Sequence, residues 1–227
     1  MLTIYGVSFS AHTRKVIMTA RHKGLDFNLE PVVPLDPPAG WEELSPAGKI
    51  PVMRDGEFVV SDSSVICTYL DRKFPHKSIY PDGAENFARA MWFEEYVDSN
   101  LQQFVLHQFL LETIFAPAFL QKETNWDVVN NALNVEIPQR FKQLEKWVSP
   151  DKFLVANQFS IADITLASIL INYAYGGKCI DNQAYPKLAG YFSFILQQGR
   201  VKETLQAENE AAKTVPGFNF DFLQAVV

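Results

Sequence analysis

Three short stretches near the N-terminus place hydroxyls, a lysine and a carboxylate where the chain turns into helix or strand. The first is Ser8-Phe9-Ser10-Ala11-His12-Thr13-Arg14-Lys15-Val16. A serine just ahead of a helix is most often an N-cap. The same place gathers free backbone N–H groups and the positive end of the helix dipole, which favour an anion. A thiol held against such a hydroxyl ionises more readily. The second stretch, Gly48-Lys49-Ile50-Pro51-Val52, puts a proline at the head of a strand, where proline is tolerated. Pro51 reads either as an ordinary loop residue or as a cis-proline that turns the Ile50 N–H and C=O outward to pair with an extended peptide. The third, Ser61-Asp62-Ser63-Ser64-Val65-Ile66, opens a helix. Asp62 or Ser63 caps that helix, or the two join its amides in holding a ligand's amino and carboxyl groups.

A fourth motif is structural. In Phe159-Ser160-Ile161-Ala162-Asp163-Ile164, Ser160 and Asp163 have the spacing of a capping box in its acidic form. Phe159 and Ile164 hold the staple positions around it.

The elements that must carry these groups follow from periodicity and punctuation. Leu2 to Tyr5 starts as a strand. Thr13 to Lys23 has helical spacing, with Val16, Ile17 and Ala20 on one face and Arg14, Lys15 and Arg21 off it, and Gly24 stops it. Phe27 to Val33 is a second strand, and residues 34–46 are Pro- and Gly-rich and irregular. A hairpin turns at Asp55-Gly56, and a helix runs from Ser63 to Phe74. Beyond Tyr80 the strand signals stop. Helical patterns cover Asn86 to Thr113 (limited by Pro117), Asp127 to Trp147 (with a kink expected at Pro138), Ser160 to Tyr175, Leu188 to Gln198 and Val201 to Ala212. The expected architecture is a small α/β domain followed by an all-α domain, with the boundary at Tyr80-Pro81-Asp82-Gly83.

The chain has 227 residues, 48% of them hydrophobic, enough to bury a sizeable core and to exclude wholesale disorder. Its net charge of −6 argues against a nucleic-acid binder. All of that acidity falls after residue 80, because residues 1–80 carry nine Lys/Arg and nine Asp/Glu. Two distant cysteines, Cys67 and Cys179, exclude a disulfide scaffold and a CxxC site. No signal peptide and no uncharged apolar run of membrane-spanning length is visible, so a soluble cytoplasmic protein with neither a membrane nor a nucleic-acid partner is expected.

Taken together and in register, the motifs resemble the cytosolic glutathione S-transferase family. Ser45-Pro46-Ala47-Gly48-Lys49-Ile50-Pro51 is similar to its Asn-Pro-x-Gly-Lys-Val/Ile-Pro stretch. Asp62-Ser63-Ser64-Val65-Ile66, continuing to Tyr69-Leu70, is similar to its Glu-Ser-x-x-Ile…Tyr-Leu, and Phe159 to Ile164 to its second-domain signature. The resemblance covers essentially the whole chain. It implies a thioredoxin-like glutathione-binding α/β domain (1–80), a linker (81–88), an all-helical domain (89–227) and a homodimer.

Carried over residue by residue, the resemblance makes Ser10, four before Arg14, the residue that donates a hydrogen bond to the glutathione sulfur, as in the theta, delta and phi classes. Ile50 and a cis-Pro51 would pair with the cysteinyl backbone. Asp62 and Ser63 would bind the γ-glutamyl end, and Lys49 would attract the glycine carboxylate. Glutathione would be the co-substrate, with no metal and no other cofactor. Tyr5 and Ser8 are alternatives to Ser10. Asp62 stands where Glu is commoner, Ser45 where Asn is, and His12 has no family role. The lack of a cysteine before Cys67 argues against omega- and beta-type chemistry, and the lack of a Ser-Ser-Cys loop against zeta-type isomerisation. A small hydrophobic electrophile would sit between the domains, against Phe104, Leu111 and Phe115 on one helix face and Tyr173. The tail residues Phe218, Phe220 and Phe222 would cover either that pocket or the domain surface. Two other readings remain: a GST-fold binding protein without turnover, and a different glutathione-dependent reaction such as isomerisation or peroxide reduction.

Overall fold

The computed structural model describes residues 1–225. β1 (Leu2–Tyr5), α1 (Ala11–Lys23) and β2 (Phe27–Glu30) form the first unit. A short helix, α2 (Trp41–Leu44), then leads to the hairpin β3 (Val52–Asp55) and β4 (Phe58–Ser61) and to α3 (Ser63–Lys73). The sheet order is β2-β1-β3-β4, with β1 parallel to β2 and antiparallel to β3. The turn residue Gly56 and the stop residue Gly24 both take positive φ, at 62° and 69°, so the two glycine signals mark real chain reversals. β2 ends three residues before the expected Val33. The Pro-rich stretch hides α2, whose Trp41 is buried with Val32 and Val52 in a small second core beneath the sheet.

The rest is helical: α4 (Ala84–Tyr96), α5 (Ala116–Leu120), α6 (Trp126–Asn131), α7 (Ile137–Trp147), α8 (Ile161–Tyr175), α9 (Pro186–Leu196) and α10 (Gly199–Ala212). The stretch expected to be a linker, 81–88, runs into α4 at Ala84. From α4 to α5 the helix is one rod, Ala84–Leu120, which passes Pro117 by three residues. Pro117 lies where the π-wound stretch 103–115 passes into the α-helical segment Ala116–Leu120. By length and composition alone this rod is apolar enough to cross a membrane. Its buried residues, among them Ala90, Phe93, Val97, Leu101 and Val105, pack into the same core as α8. Residues 97–101 and 103–115 are wound as π-helix, and a third π turn at Ala132–Glu136 lies just ahead of Pro138. The expected disturbance at Pro138 is therefore a widened turn.

Every residue of α8 is buried, as its all-round apolar pattern requires. At its N-terminus Asp163 accepts from the Ser160 backbone N–H and hydroxyl, from Leu154 N–H and from the Tyr191 hydroxyl, all at 2.9–3.0 Å. Ile161 N–H donates to Ile79 C=O at 2.8 Å, which ties α8 to the end of the α/β domain.

Arg14 and Lys15 sit off the apolar face of α1 but are not exposed; both are buried where α1 meets the helical domain. Arg14 donates to Glu208 (2.9 Å), Asn172 (2.6 Å) and the carbonyls of Ser168 and Phe9. Lys15 pairs with Asp98 (2.7 Å) and Glu94 (2.5 Å) and donates to Ser64 Oγ. Amphipathic reasoning assigns charges to solvent, whereas here a second domain supplies carboxylates for them.

Candidate functional site

The loop after β1, the bend before β3 and the start of α3 converge. A Cβ built on Gly6 would meet Thr13 Oγ1 at 2.5 Å and Ile50 Cβ at 3.3 Å, so the first loop abuts the second. The first turn of α1 reaches α3 through His12 Nδ1, 3.3 Å from Ser63 Oγ.

Ser10 is the N-cap residue of α1 by position, but its side chain makes no capping hydrogen bond. Ser10 is half-buried at a helix N-terminus, and its hydroxyl has no hydrogen-bond partner among the described residues. Its two rivals are engaged elsewhere. The Tyr5 ring packs edge-on against Trp41 (centroids 6.2 Å apart) on the α2 side of the sheet, because alternation along β1 sends Leu2 and Ile4 one way and Tyr5 the other. Ser8 is buried and lines a separate cavity of about 320 Å³ with Arg21, Phe27 and Glu208.

The Ile50–Pro51 peptide is cis, and Pro51 is buried beneath it. Ser45, in place of the expected asparagine, is well suited to its position: its hydroxyl accepts from Lys49 N–H (3.0 Å) and donates to Lys49 C=O (2.7 Å), clamping the turn that presents Lys49 to solvent. Asp62 holds a positive φ of 80° and caps α3, with one carboxylate oxygen accepting from the N–H groups of Ser64 (2.9 Å) and Val65 (3.2 Å). The second oxygen makes no hydrogen bond among the described residues. Ser63 is buried behind it.

Sequence reading missed His107 and Asp98 and left His12 without a role. His12 is half-buried, and its pKa is lowered chiefly by desolvation; Asp98 opposes this, Lys15 adds to it, and Asp62 and His107 contribute less in opposite directions. Burial and the charge of Lys49 lower the pKa of His107. Burial works against the charge on Lys15, yet Asp98 and Glu94 raise its pKa well above the ordinary lysine range. Burial pushes the Cys67 thiol up to about 12, so it is inert.

The four pocket residues inferred from sequence are not brought together. Phe104 to Phe115 is eleven positions, about three turns of an α-helix. It is only about two and a half turns of a π-helix with its wider i→i+5 ring, which puts the two on opposite faces. Phe104 accordingly lies under the Arg140 guanidinium of α7, 4.1 Å from its ring centroid. Tyr173 is a core residue between Phe109 and Phe141. Phe115 instead meets Phe218 (5.9 Å), which meets Phe9 (5.7 Å), the residue before Ser10. Leu111 and His107 lie one π turn and two π turns before Phe115, on the same side. Phe218 stacks on Tyr175 at 4.7 Å, and Phe220 and Phe222 pack on the same ring; among the described aromatic residues of the tail, Phe218 is the one that meets Phe9 and Phe115.

A β2-β1-β3-β4 sheet with a cis-proline at the cleft, followed by an all-helical domain, defines a two-domain thioredoxin-like protein. A description of the glutathione S-transferase N-terminal domain matches residues 9–73, and one of the C-terminal domain matches residues 106–198. The chain is 29% identical over 195 residues to glutathione S-transferase Z1 of Arabidopsis thaliana, an alignment covering 83% of this chain and 84% of that one. In fold it is similar to human glutathione-S-transferase T1-1 in its apo form (TM-score 0.82, 22% identity, covering 100% of this chain and 95% of that one). It is also similar to the glutathione transferase URE2P8 of Phanerochaete chrysosporium solved with oxidized glutathione (TM-score 0.79, 18% identity, 93% and 96% covered). The chain belongs to the glutathione S-transferase family.

Proposed function

We propose that this transferase is of the serine type, with Ser10 holding the sulfur of glutathione as a thiolate for attack on a small apolar electrophile. The observation that carries the reading is the uncommitted Ser10 hydroxyl at the α1 N-terminus, with Tyr5 and Ser8 both turned away. A free thiol of pKa about 8.5 is only a few per cent ionised at neutral pH, and lowering it by two units is worth roughly 2.7 kcal/mol. One charge-assisted hydrogen bond and a helix N-terminus together supply about that much. The cis-Pro51 bend offers the Ile50 backbone to the cysteinyl unit. The free oxygen of Asp62 suits the γ-glutamyl ammonium, Ser63 the α-carboxylate and Lys49 the glycine carboxylate. The thiolate then forms a C–S bond to the electrophilic carbon while the leaving group departs with its electron pair, over a wall of Phe9, Leu111, Phe115 and Phe218.

In a 1-chloro-2,4-dinitrobenzene assay, Ser10→Ala is expected to lower kcat about 100-fold with KM for glutathione nearly unchanged, and to move the pH–rate midpoint up toward that of the free thiol. A variant with the parent kcat and pH profile sinks the assignment.

The working unit is a homodimer in the cytoplasm. Phe58 and Tyr69 stack at 4.7 Å on the outer face of β4 and α3, beside Val65. Phe58 (47% exposed) and Val65 (50%) on the first domain, and Trp92 (47%) on the long helix, are exposed apolar side chains that a second copy would cover. Sedimentation is expected to give twice the 25.7 kDa chain mass, and Val65→Glu with Trp92→Glu to give the monomer; a monomeric parent protein refutes the dimer.

A further inference from the structure

Ser63 opens α3, but its hydroxyl does not serve its own helix, because Asp62 supplies the cap. Ser63 Oγ instead lies 3.3 Å from Nδ1 of His12, fifty-one residues away in sequence. A hydroxyl carries one proton, and a buried hydroxyl against an imidazole nitrogen aims that proton according to the ring's tautomer. With the ring proton on Nδ1, Ser63 accepts from His12 and its own proton is free to point into the cleft. With Nδ1 bare, the hydroxyl proton goes to His12 and the cleft meets lone pairs only. A carboxylate can only accept, so it selects the first arrangement.

We propose that His12 is a positioning residue: its Nδ1–H holds the Ser63 hydroxyl so that the hydroxyl donates to the α-carboxylate of the bound γ-glutamyl unit. This inference rests on the glutathione reading of the cleft. The charged and titratable groups near enough to act on the ring are Lys15 on α1, Asp62 at the α3 cap, and Asp98 and His107 on the long helix. Their charges oppose one another, and burial leaves the ring neutral, with one proton to place. Asp98 itself accepts from Lys15 at 2.7 Å, and Lys15 also donates to the Ser64 hydroxyl oxygen at 2.9 Å. Lys15, three residues on from His12, thus ties α1 to α3 and to the long helix, and the ring's Nδ1 faces Ser63.

The test is titration calorimetry and steady-state kinetics on the full chain. Two ligands are compared: glutathione, and its analogue with 4-aminobutyryl in place of γ-glutamyl, which keeps the ammonium and lacks the α-carboxylate. His12→Ala is expected to weaken glutathione about tenfold and the analogue less than twofold, with kcat at saturating thiol within about twofold. His12→Asn places an amide N–H where Nδ1 was, and is expected to restore glutathione affinity to within about threefold of the parent. In a Ser63→Ala background, adding His12→Ala is expected to cost less than twofold more. Equal weakening of both ligands, a full tenfold loss without the Ser63 hydroxyl, or a fall in kcat at constant KM would each overturn the proposal. A parent protein that binds neither ligand overturns the glutathione reading itself, and this inference with it.

Discussion

His22 stands in the last turn of α1, where the helix dipole favours an imidazolium, yet its pKa is pushed down to about 4. Burial is the main cause; Lys23, Lys77 and Arg200 add to it and Asp71 opposes. The ring packs on Phe159, 5.1 Å between centroids, beside the staple that leads into α8. Between pH 6.5 and 4 the unfolded chain therefore takes up a proton here that the folded chain refuses, so stability falls as pH falls through that window. Asp163 pulls the other way. Burial raises its pKa to about 6, so on acidification the folded state gains its proton before the unfolded state does. His22→Gln removes only the first effect. The free energy of unfolding, followed in urea from pH 6.5 to 4, is expected to decline less steeply than in the parent protein; an unchanged slope would show that His22 does not titrate as described.

At the scale of elements, α8 is held by one carboxylate. Asp163 accepts four hydrogen bonds from three segments, Leu154, Ser160 and Tyr191 of α9, and Tyr191 is fully buried with it. Ser160→Ala is expected to cost about 1 kcal/mol as the loss of a cap. Asp163→Ala leaves several buried donors without partners and is expected to cost at least about 3 kcal/mol in urea unfolding. Equal losses in the two variants would show that the network is no more than a cap. The capping box was legible in the sequence because cap, box and staple are local. The strands, the Gly24 stop, the Gly56 turn and α8 were legible for the same reason. α2 was not, since prolines and glycines around Trp41 obscure four residues of helix. The electrophile wall failed on period. Phe104, Leu111 and Phe115 share a face only at 3.6 residues per turn, and no local signal announces a π-helix over 103–115. Four-residue spacing from His107 to Leu111 to Phe115 was the available clue to the face that meets the cleft.

On the scale of the whole molecule, α1 is a shared element: it lies on the sheet and under α8 and α10 at once. Its cations are matched by carboxylates that follow much later in the chain, Asp98 for Lys15 and Glu208 for Arg14, and this is why no reading of α1 alone foresaw their burial. Arg14 also donates to the carbonyl of Phe9 at 3.0 Å, so the ion pair that joins the domains steadies the loop that carries Ser10. Glu208 is buried with Arg14 and Tyr175, and burial already raises its pKa against the lowering effect of Arg14. Arg14→Met keeps most of the volume and removes the cation. The remaining carboxylate is then buried without its partner, a change that costs about 3–5 kcal/mol. That loss has a pH signature. Without Arg14 the folded-state pKa of Glu208 lies still further above its unfolded value, so protonation favours the folded state and the deficit shrinks as pH falls. The thermal midpoint of Arg14→Met is expected to lie well below the parent at pH 8 and to approach it at pH 5, and Glu208→Gln added to Arg14→Met is expected to recover part of the loss at pH 8. A deficit that stays constant from pH 8 to 5 would mean that the guanidinium matters for its shape and its carbonyl contacts, and that the charge of Glu208 is not what holds the two domains together.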